Sequence, residues 1–296
     1  MRRDAFYSVH PAVSFAFFLA VILMTAIVIH PVITGISLML SCACHVYLKG
    51  RKGISFCLFV VLPLIIFVAI LNPLFNHAGV TVLFYLKNGN AVTLEAVYYG
   101  VNSACMFAAL LLWCSCLNSV MSSDKYTYLF GGVIPVLSLV FSMVLRFVPR
   151  FLNRIRAVSD AQSSVSEGVG KKPVKAVRQG LSVISVTVTW ALESAVTAAD
   201  SMKSRGYGLP GRTSFSMYRF GRRDAAVGSI LVLSSVLFIA SAASKSVWFR
   251  FYPSIKYASF GAFGALGCAA FLVLCSLPLI LNIKERLSWQ ASLSRI

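Results

Sequence analysis

Residues whose types could carry out chemistry are few in this chain and widely spaced. The 296 residues include nine Asp and Glu and four His, and they contain no G-x-x-x-x-G-K-[ST] phosphate loop and no H-E-x-x-H zinc motif. The four histidines are His10, His30, His45 and His77. None of them has a candidate acid partner at close spacing. We interpret each as a helix cap or interface residue, and the sequence predicts a protein that is not an enzyme.

The cysteines lie inside apolar stretches, where a free cysteine acts as a small hydrophobic residue. Neither of the two C-x-C pairs has a second pair at zinc-like spacing or a nearby histidine in a polar setting. We therefore expect structural roles, with neither disulfides nor a metal site, for Cys42, Cys44, Cys57, Cys105, Cys114, Cys116, Cys268 and Cys275.

The composition indicates a membrane protein. Hydrophobic residues make up 58% of the chain and charged residues 12%, whereas a soluble domain carries about 25% charged residues. A membrane-spanning helix needs about 20 apolar residues, and the first run is too long for a signal peptide and lacks a cleavage pattern. Apolar runs between turn and charge signals predict six spans: 12–29, 31–48, 54–72, 92–118, 226–243 and 258–281.

Between the third and fourth spans the sequence predicts a short β-hairpin on one membrane face. The turn signals Asn72-Pro73 and Asn88-Gly89 flank the apolar run 80–86 within a loop at 73–91. Glu95, just beyond, is the acid closest to the predicted hydrocarbon region. Its position favours a helix N-terminal charge, so we expect no proton or ion relay through the bundle.

The basic residues predict the orientation. If the N-terminus is cytoplasmic and all six spans cross, 23 of the 27 lysines and arginines lie inside, which follows the positive-inside rule. Anionic lipid and an acidic partner are then enough to explain the net charge of +18, without nucleic acid. We expect a multi-pass plasma-membrane protein with its basic loops and both termini in the cytoplasm.

Two further runs, 133–148 and 181–199, are apolar enough to be a seventh and an eighth span. If both crossed, the charge bias would reverse, because the outside would receive Arg146, Arg150, Arg154, Arg156, Lys171, Lys172, Lys175 and Arg178. We therefore expect two long helices at or below the cytoplasmic surface, apolar on one side and packed against the spans or each other. Pro135 and Pro149 are expected to kink or interrupt the first helix.

The basic segment ends in a phrase that could dock a partner. Residues 198–208 read AADSMKSRGYG, in which Gly206 and Gly208 are expected to end a helix with Arg205 at its C-terminal tip. The planar guanidinium there can reach a carboxylate. A solvated helix cap is the alternative, and composition alone leaves it open.

This phrase resembles the Ala-Arg-Gly coupling motif of the transmembrane T component of energy-coupling factor (ECF) transporters, with Ser204 in the Ala position and Arg205-Gly206 intact. The resemblance covers nearly the whole chain. It also includes His10-Pro11-Ala12-Val13, residues 72–77 (NPLFNH), residues 79–84 (GVTVLF) and Arg146-Phe147-Val148-Pro149.

The resemblance implies an all-helical membrane subunit whose long cytoplasmic helices end in two coupling motifs. These motifs would bind grooves on two ABC-type ATPases, A and A′, with Arg205 meeting an ATPase carboxylate. Another face would hold a small membrane S component that selects the substrate, a vitamin or a metal ion. No cofactor is expected in this chain, since ATP and Mg would belong to the partner ATPases.

The first coupling motif departs from the family pattern. After Ala161-Gln162 the family has an arginine where this chain has Val165, between Ser164 and Ser166. We hypothesise asymmetric docking, in which only one ATPase needs the arginine or this end docks by shape and nearby basic residues. The residues expected to support docking are Arg154, Arg156, Lys203, Tyr207 and Gly208.

The sequence thus predicts an all-α polytopic membrane bundle of about six spans. Residues 1–118 would hold the first four spans, 119–224 the cytoplasmic coupling helices, and 225–296 the last two spans with a basic tail. The predicted function is the coupling subunit of an ECF-type importer. The alternatives are a self-sufficient secondary permease, which needs polar groups near mid-bilayer, and a membrane-embedded transferase, which needs an acidic cluster or a histidine pair.

Overall fold

A computed structural model describes residues 5–85, 91–131, 135–165, 173–207, 218–257 and 261–293. It begins with a 3₁₀ helix (Ala5–Ser8) and includes a π-helical turn (Cys57–Val61) between α3 and α4. The other elements are α1 (Pro11–Ile27), α2 (Pro31–Lys49), α3 (Arg51–Phe56), α4 (Leu62–Phe75), β1 (Val82–Tyr85), β2 (Ala91–Thr93), α5 (Leu94–Val120), α6 (Ser123–Gly131), α7 (Pro135–Val165), α8 (Pro173–Ser204), α9 (Arg222–Ala243), β3 (Phe249–Arg250), β4 (Lys256–Tyr257) and α10 (Ala262–Leu293).

Backbone contacts divide the chain into two compact units. Met1–Ser123 and Tyr218–Ile296 form the first, here called the bundle unit, and Asp124–Met217 forms the second, here called the helical-pair unit. The predicted cytoplasmic location of residues 119–224 stays a prediction.

Six helical segments are long and apolar enough to cross a membrane, judged by length and composition over the described residues. They are Pro31–Lys49, Arg51–Phe75, Leu94–Val120, Gln179–Ser204, Arg222–Ala243 and Ala262–Gln290. The predicted all-α polytopic membrane fold is thereby confirmed.

The six segments are not the six that we predicted. The predicted span 12–29 is α1, a 17-residue apolar helix about 25 Å long at 1.5 Å per residue, at the short end of the spanning range. The sixth segment long and apolar enough to cross is instead Gln179–Ser204, although its mean hydropathy of 1.4 is the lowest of the six. Its predicted position at the membrane surface stays a prediction.

The first two helices begin with the same cap. His10 and His30 are the N-cap residues of α1 and α2, and each imidazole Nδ1 accepts a backbone N–H, from Ala12 at 3.3 Å and from Val32 at 3.2 Å. A proline follows each histidine at the first helical position, where its missing N–H costs nothing. The predicted capping role is therefore confirmed for these two histidines.

The bundle core is built around α5, which packs against α1, α2 and α4. Trp113 is fully buried, and its ring meets Phe17 and Phe18 edge-on at centroid distances of 6.0 and 6.2 Å. Its indole Nε1 donates to Ser37 Oγ at 3.0 Å, so this large side chain is buried without an unsatisfied donor.

The inward face of α2 is polar, which the sequence analysis did not anticipate. Thr34, Ser37, Ser41 and His45 follow at helical spacing and are each no more than 1% exposed. Small polar residues let transmembrane helices approach closely and bond across the interface; Ser37 Oγ, for example, is 3.1 Å from Thr25 Oγ1. His45 is thus an interface residue inside the bundle, with its ring 5.1 Å from that of Phe56.

The helices α9 and α10 form the other side of the bundle unit. The Phe238 and Phe271 rings lie 5.0 Å apart, and Gly267 packs directly against Ser241. At one end of this pair Arg223 and Glu285 form an ion pair at 2.9 Å, and Asp224 accepts the backbone N–H groups of His10 and Gly221. This end is thus tied to the start of α1.

Two strand pairs lie between helices of the bundle unit. The predicted hairpin is present as antiparallel β1 and β2, while its turn residues 86–90 lie outside the described residues. Glu95 is the second residue of α5, as predicted, and its carboxylate accepts the Thr81 hydroxyl at 2.9 Å. The second pair, β3 and β4, was not predicted.

The helix α7 is not interrupted at its prolines, which corrects that part of the expectation. Pro135 is its first residue, and the helix runs unbroken through Pro149 to Val165. Proline at a first position is favourable, and one inside a helix removes a single hydrogen bond, which the rest of this 31-residue helix outweighs.

Candidate docking site at the ends of the helical pair

Within the helical-pair unit, α7 and α8 pack antiparallel. The Phe151 ring meets the Trp190 ring at 5.7 Å, Arg154 Cζ lies 5.3 Å from the Trp190 ring centroid, and Gln162 Nε2 donates to Ser182 Oγ at 2.6 Å. Residues later in α7 contact residues earlier in α8, so the end of α7 lies beside the start of α8. The end of α8 is 22 residues beyond Ser182, or roughly 33 Å away at 1.5 Å per residue. The two candidate coupling segments therefore lie at opposite ends of the pair.

The end of α8 forms a complete Schellman motif. The Tyr207 N–H donates to the Met202 carbonyl at 3.1 Å, and the Gly206 N–H donates to the Lys203 carbonyl at 3.0 Å. Gly206 has φ = 73°, the left-handed conformation that this motif requires and that glycine adopts without steric cost. Arg205 is therefore the C-cap residue, immediately before the turn.

This cap leaves the Arg205 side chain exposed at the tip of the helix. In the part of the chain that the structure describes, Arg205 has no ion pair. Lys203 and Ser204 are also exposed, and the Ser204 hydroxyl donates to the Ser201 carbonyl at 2.9 Å. Tyr207 is 38% exposed, and Gly208 lies outside the described residues. A cation at this end also complements the helix dipole.

The end of α7 carries hydroxyl groups and no arginine. Ser163 and Ser164 both donate to the Asp160 carbonyl, at 2.7 and 2.9 Å. Val165 is the last residue of the helix; Ser166 and the side chain of Val165 lie outside what the structure describes. The two ends of the pair thus differ in charge as well as in position.

The supporting arginines differ in their surroundings. Arg154 and Arg156 are both exposed, and the Arg154 guanidinium in addition stacks over Trp190, a cation–π contact that orders the side chain. Sequence reasoning missed this role of Arg154, as well as the pairing of Gln162 with Ser182. It also missed the hydrogen bond that closes the cap at the Met202 carbonyl. A glycine just past a helix, followed directly by a residue with an apolar side chain, is a common signal for this motif.

Both helices of the pair carry an exposed apolar stripe. On α8 the stripe residues are between 51 and 66% exposed and follow at helical spacing: Val177, Leu181, Ile184, Val188, Leu192 and Val196. On α7 the corresponding side chains are between 40 and 50% exposed: Val140, Phe141, Val144, Val148, Leu152 and Ile155. An exposed apolar surface of this extent is typical of a protein or membrane contact. Val183 and Thr187, on another side of α8, are buried.

One basic residue of this unit is buried. Lys125, in α6, is 1% exposed, and burial lowers the pKa of its ammonium group from 10.5 to about 8. From the sequence, Lys125 is one of the 23 lysines and arginines expected on the cytoplasmic side. Among the described residues no group of three or more His, Cys, Asp or Glu side chains is placed to hold a metal ion.

The fold and these helix ends define a polytopic, all-α membrane protein with a long antiparallel helical pair and a charged helix tip. The chain is similar to the energy-coupling factor transporter transmembrane protein EcfT of Lacticaseibacillus paracasei, with 32% identity over 111 residues, and to that of Bacillus selenitireducens, with 29% over 109 residues. These matches cover 36 and 35% of this chain and 41 and 40% of the relatives' own length. No protein-family model matches the chain. The resemblance to T components predicted from sequence is thereby confirmed over about a third of the chain.

Proposed function

We propose that this chain is the T component of an ECF-type importer. It transmits the ATP-driven motion of two ATPase subunits to a substrate-binding S component. The single observation that carries this proposal is the Schellman cap that presents Arg205 at the exposed tip of α8. The similarity to two EcfT proteins supports it independently.

The cap suits Arg205 to docking. Gly206 turns the backbone immediately after the arginine, so Arg205 is exposed at the last position before the chain leaves the helix axis. A planar guanidinium binds a carboxylate through two parallel hydrogen bonds. A charge-assisted bond to an ATPase carboxylate contributes about 1.5 to 3 kcal/mol, and rigid presentation limits the entropy lost on binding.

The two ends of the pair suit two ATPases. They are separated by roughly 33 Å along α8, from the helical rise, and only one end carries an arginine. Because Val165 has no donor to replace a guanidinium, docking is asymmetric, and the α7 end relies on shape and on exposed cations such as Arg156. Ser164, Val165 and Ser166 form this second contact.

The exposed apolar stripes of α7 and α8 offer a surface for the S component, a small membrane protein of matching apolarity. A shift of either helix end, driven by the ATPases, would be carried along a stiff helix to that surface. The cargo, a vitamin or a metal ion, is chosen by the S component. ATP and Mg bind the ATPases, whose side of the plasma membrane is the basic, cytoplasmic side of this chain.

A pull-down of tagged chain from detergent-solubilised native membranes tests this function. Wild type is expected to co-purify ABC ATPases, and Arg205→Ala is expected to lose them. Arg286→Ala is the matched control, because it removes an exposed arginine of the bundle unit. A chain that purifies alone and still transports substrate would instead favour the secondary permease.

A further inference from the structure

The outer strand of the first hairpin is apolar on both faces and uncovered. All four β1 residues are exposed, by 41% at Val82, 52% at Leu83, 58% at Phe84 and 70% at Tyr85. The partner strand β2 is different, because Val92 and Thr93 are buried. The strand β2 therefore holds the hairpin on the bundle, and β1 projects outward from it.

The strand β1 follows α4 closely in sequence, and the outer surface of α4 is strongly apolar. In the most apolar stretch of 18 residues within Arg51–Phe75, the mean hydropathy is 3.1 and only 6% of the residues are buried. Phe75, at the end of this helix, is 78% exposed. No Asp, Glu, Lys or Arg occurs from residue 53 to residue 86. The sequence thus contains no charged residue between this span and β1, although Asn76, His77 and Thr81 lie between them.

The backbone of β1 limits how deep it can lie. One edge of the strand pairs with β2, and among the described residues no strand pairs with the other edge. Unpaired N–H and C=O groups are not tolerated in hydrocarbon, whereas at the headgroup level water and lipid oxygens can satisfy them. Aromatic side chains such as Phe84 and Tyr85 are also favoured at that depth.

We propose that β1 is a membrane anchor embedded at the headgroup level of the bilayer, with lipid on both faces of Val82–Tyr85. The anchor holds the connection between α4 and α5 at a fixed depth. The occupant is phospholipid, because the strand closely follows a strongly apolar helix with no charged residue between them, exposes Phe84 and Tyr85, and carries no charge to pair with a protein. This inference does not depend on the proposed function.

Depth-dependent fluorescence quenching tests this placement. Full-length Phe84→Trp is reconstituted into phosphatidylcholine vesicles with chains brominated near the headgroup or near the methyl end, and the emission of the parent protein, which has four tryptophans, is subtracted. The added emission is expected to be blue-shifted, quenched most by bromine near the headgroup and little by aqueous iodide. Tyr85→Trp serves as a second position if Phe84→Trp does not fold.

Two results would overturn the proposal. Quenching by iodide with no effect of brominated lipid would place the strand in water. Strongest quenching by bromine near the methyl end would place it in the hydrocarbon core. In a matched control, Phe263→Trp places an exposed tryptophan near the start of α10, and its quenching profile calibrates the method on a helix.

Discussion

The Tyr207 amide donates a hydrogen bond to the Met202 carbonyl at 3.1 Å across the end of α8. This bond closes a six-residue loop around Gly206, whose positive φ allows the chain to reverse. It fixes the direction in which the intervening Arg205 leaves the helix. A helix tip of this kind has a defined shape before any partner binds.

Gly206→Ala should loosen this cap, because a Cβ in the left-handed region costs about 1 to 2 kcal/mol. Gly206→Asn should be milder, since asparagine tolerates that region. Hydrogen exchange of the Tyr207 amide is the measurement. We expect exchange to be roughly 5- to 30-fold faster in Gly206→Ala, from the size of that penalty, and nearly unchanged in Gly206→Asn. Equal exchange in the two variants would contradict the cap.

Trp190→Ala should weaken the helical pair, because both Phe151 and Arg154 contact its ring. The two contacts together are worth roughly 1 to 2 kcal/mol. Limited proteolysis in detergent should therefore cut the helical-pair unit faster in this variant. Trp289→Ala is the control, since Trp289 is 65% exposed on α10; similar acceleration in both variants would argue against the pairing.

Gly267→Ala should destabilise the bundle unit by about 1 to 3 kcal/mol, the usual range for overpacking. A Cβ at this position would lie 2.6 Å from Ser241 Cβ, closer than any relaxed contact. The second substitution Ser241→Gly removes that atom and should restore most of the lost thermal stability. If the double variant is no more stable than Gly267→Ala alone, the close approach of α9 and α10 is not the cause.

The stability of the chain should depend on pH through Lys125. Burial lowers its pKa in the folded state from 10.5 to about 8, so between these values the unfolded state binds more protons. Stability should then rise as the pH increases from about 8 towards 10.5 and be insensitive to this group below 8. Thermal unfolding in detergent across this range should show the rise in wild type and a smaller one in Lys125→Met. Parallel curves for the two proteins would contradict the buried environment.

The parts of the fold set by local signals could be predicted from sequence. Runs of apolar residues located five of the spans, His-Pro pairs located the starts of α1 and α2, and Asn-Gly located the first hairpin. The interruption expected at Pro149 is absent, because the helical residues on both sides outweigh one missing hydrogen bond. The polar row of α2 was missed, since Thr34 and His45 look like isolated polar residues until tertiary packing turns them inward.

The candidate site was predicted only in part. Sequence placed Arg205 at a helix end, because Gly206 is a local stop signal. It could not show that the second segment lies at the opposite end of an antiparallel pair. That arrangement depends on contacts between residues far apart in sequence, such as Gln162 with Ser182. Nor could it show that Arg154 stacks on Trp190.

The proposed contact between the tip of α8 and an ATPase can be measured by photo-crosslinking in native membranes. A benzophenone analogue of phenylalanine replaces Tyr207, which leaves Arg205 intact, or replaces the exposed Trp289 as a control. We expect a crosslink from position 207 to an ABC ATPase and none from position 289. Crosslinks from position 207 to lipid alone, or to no protein, would contradict it.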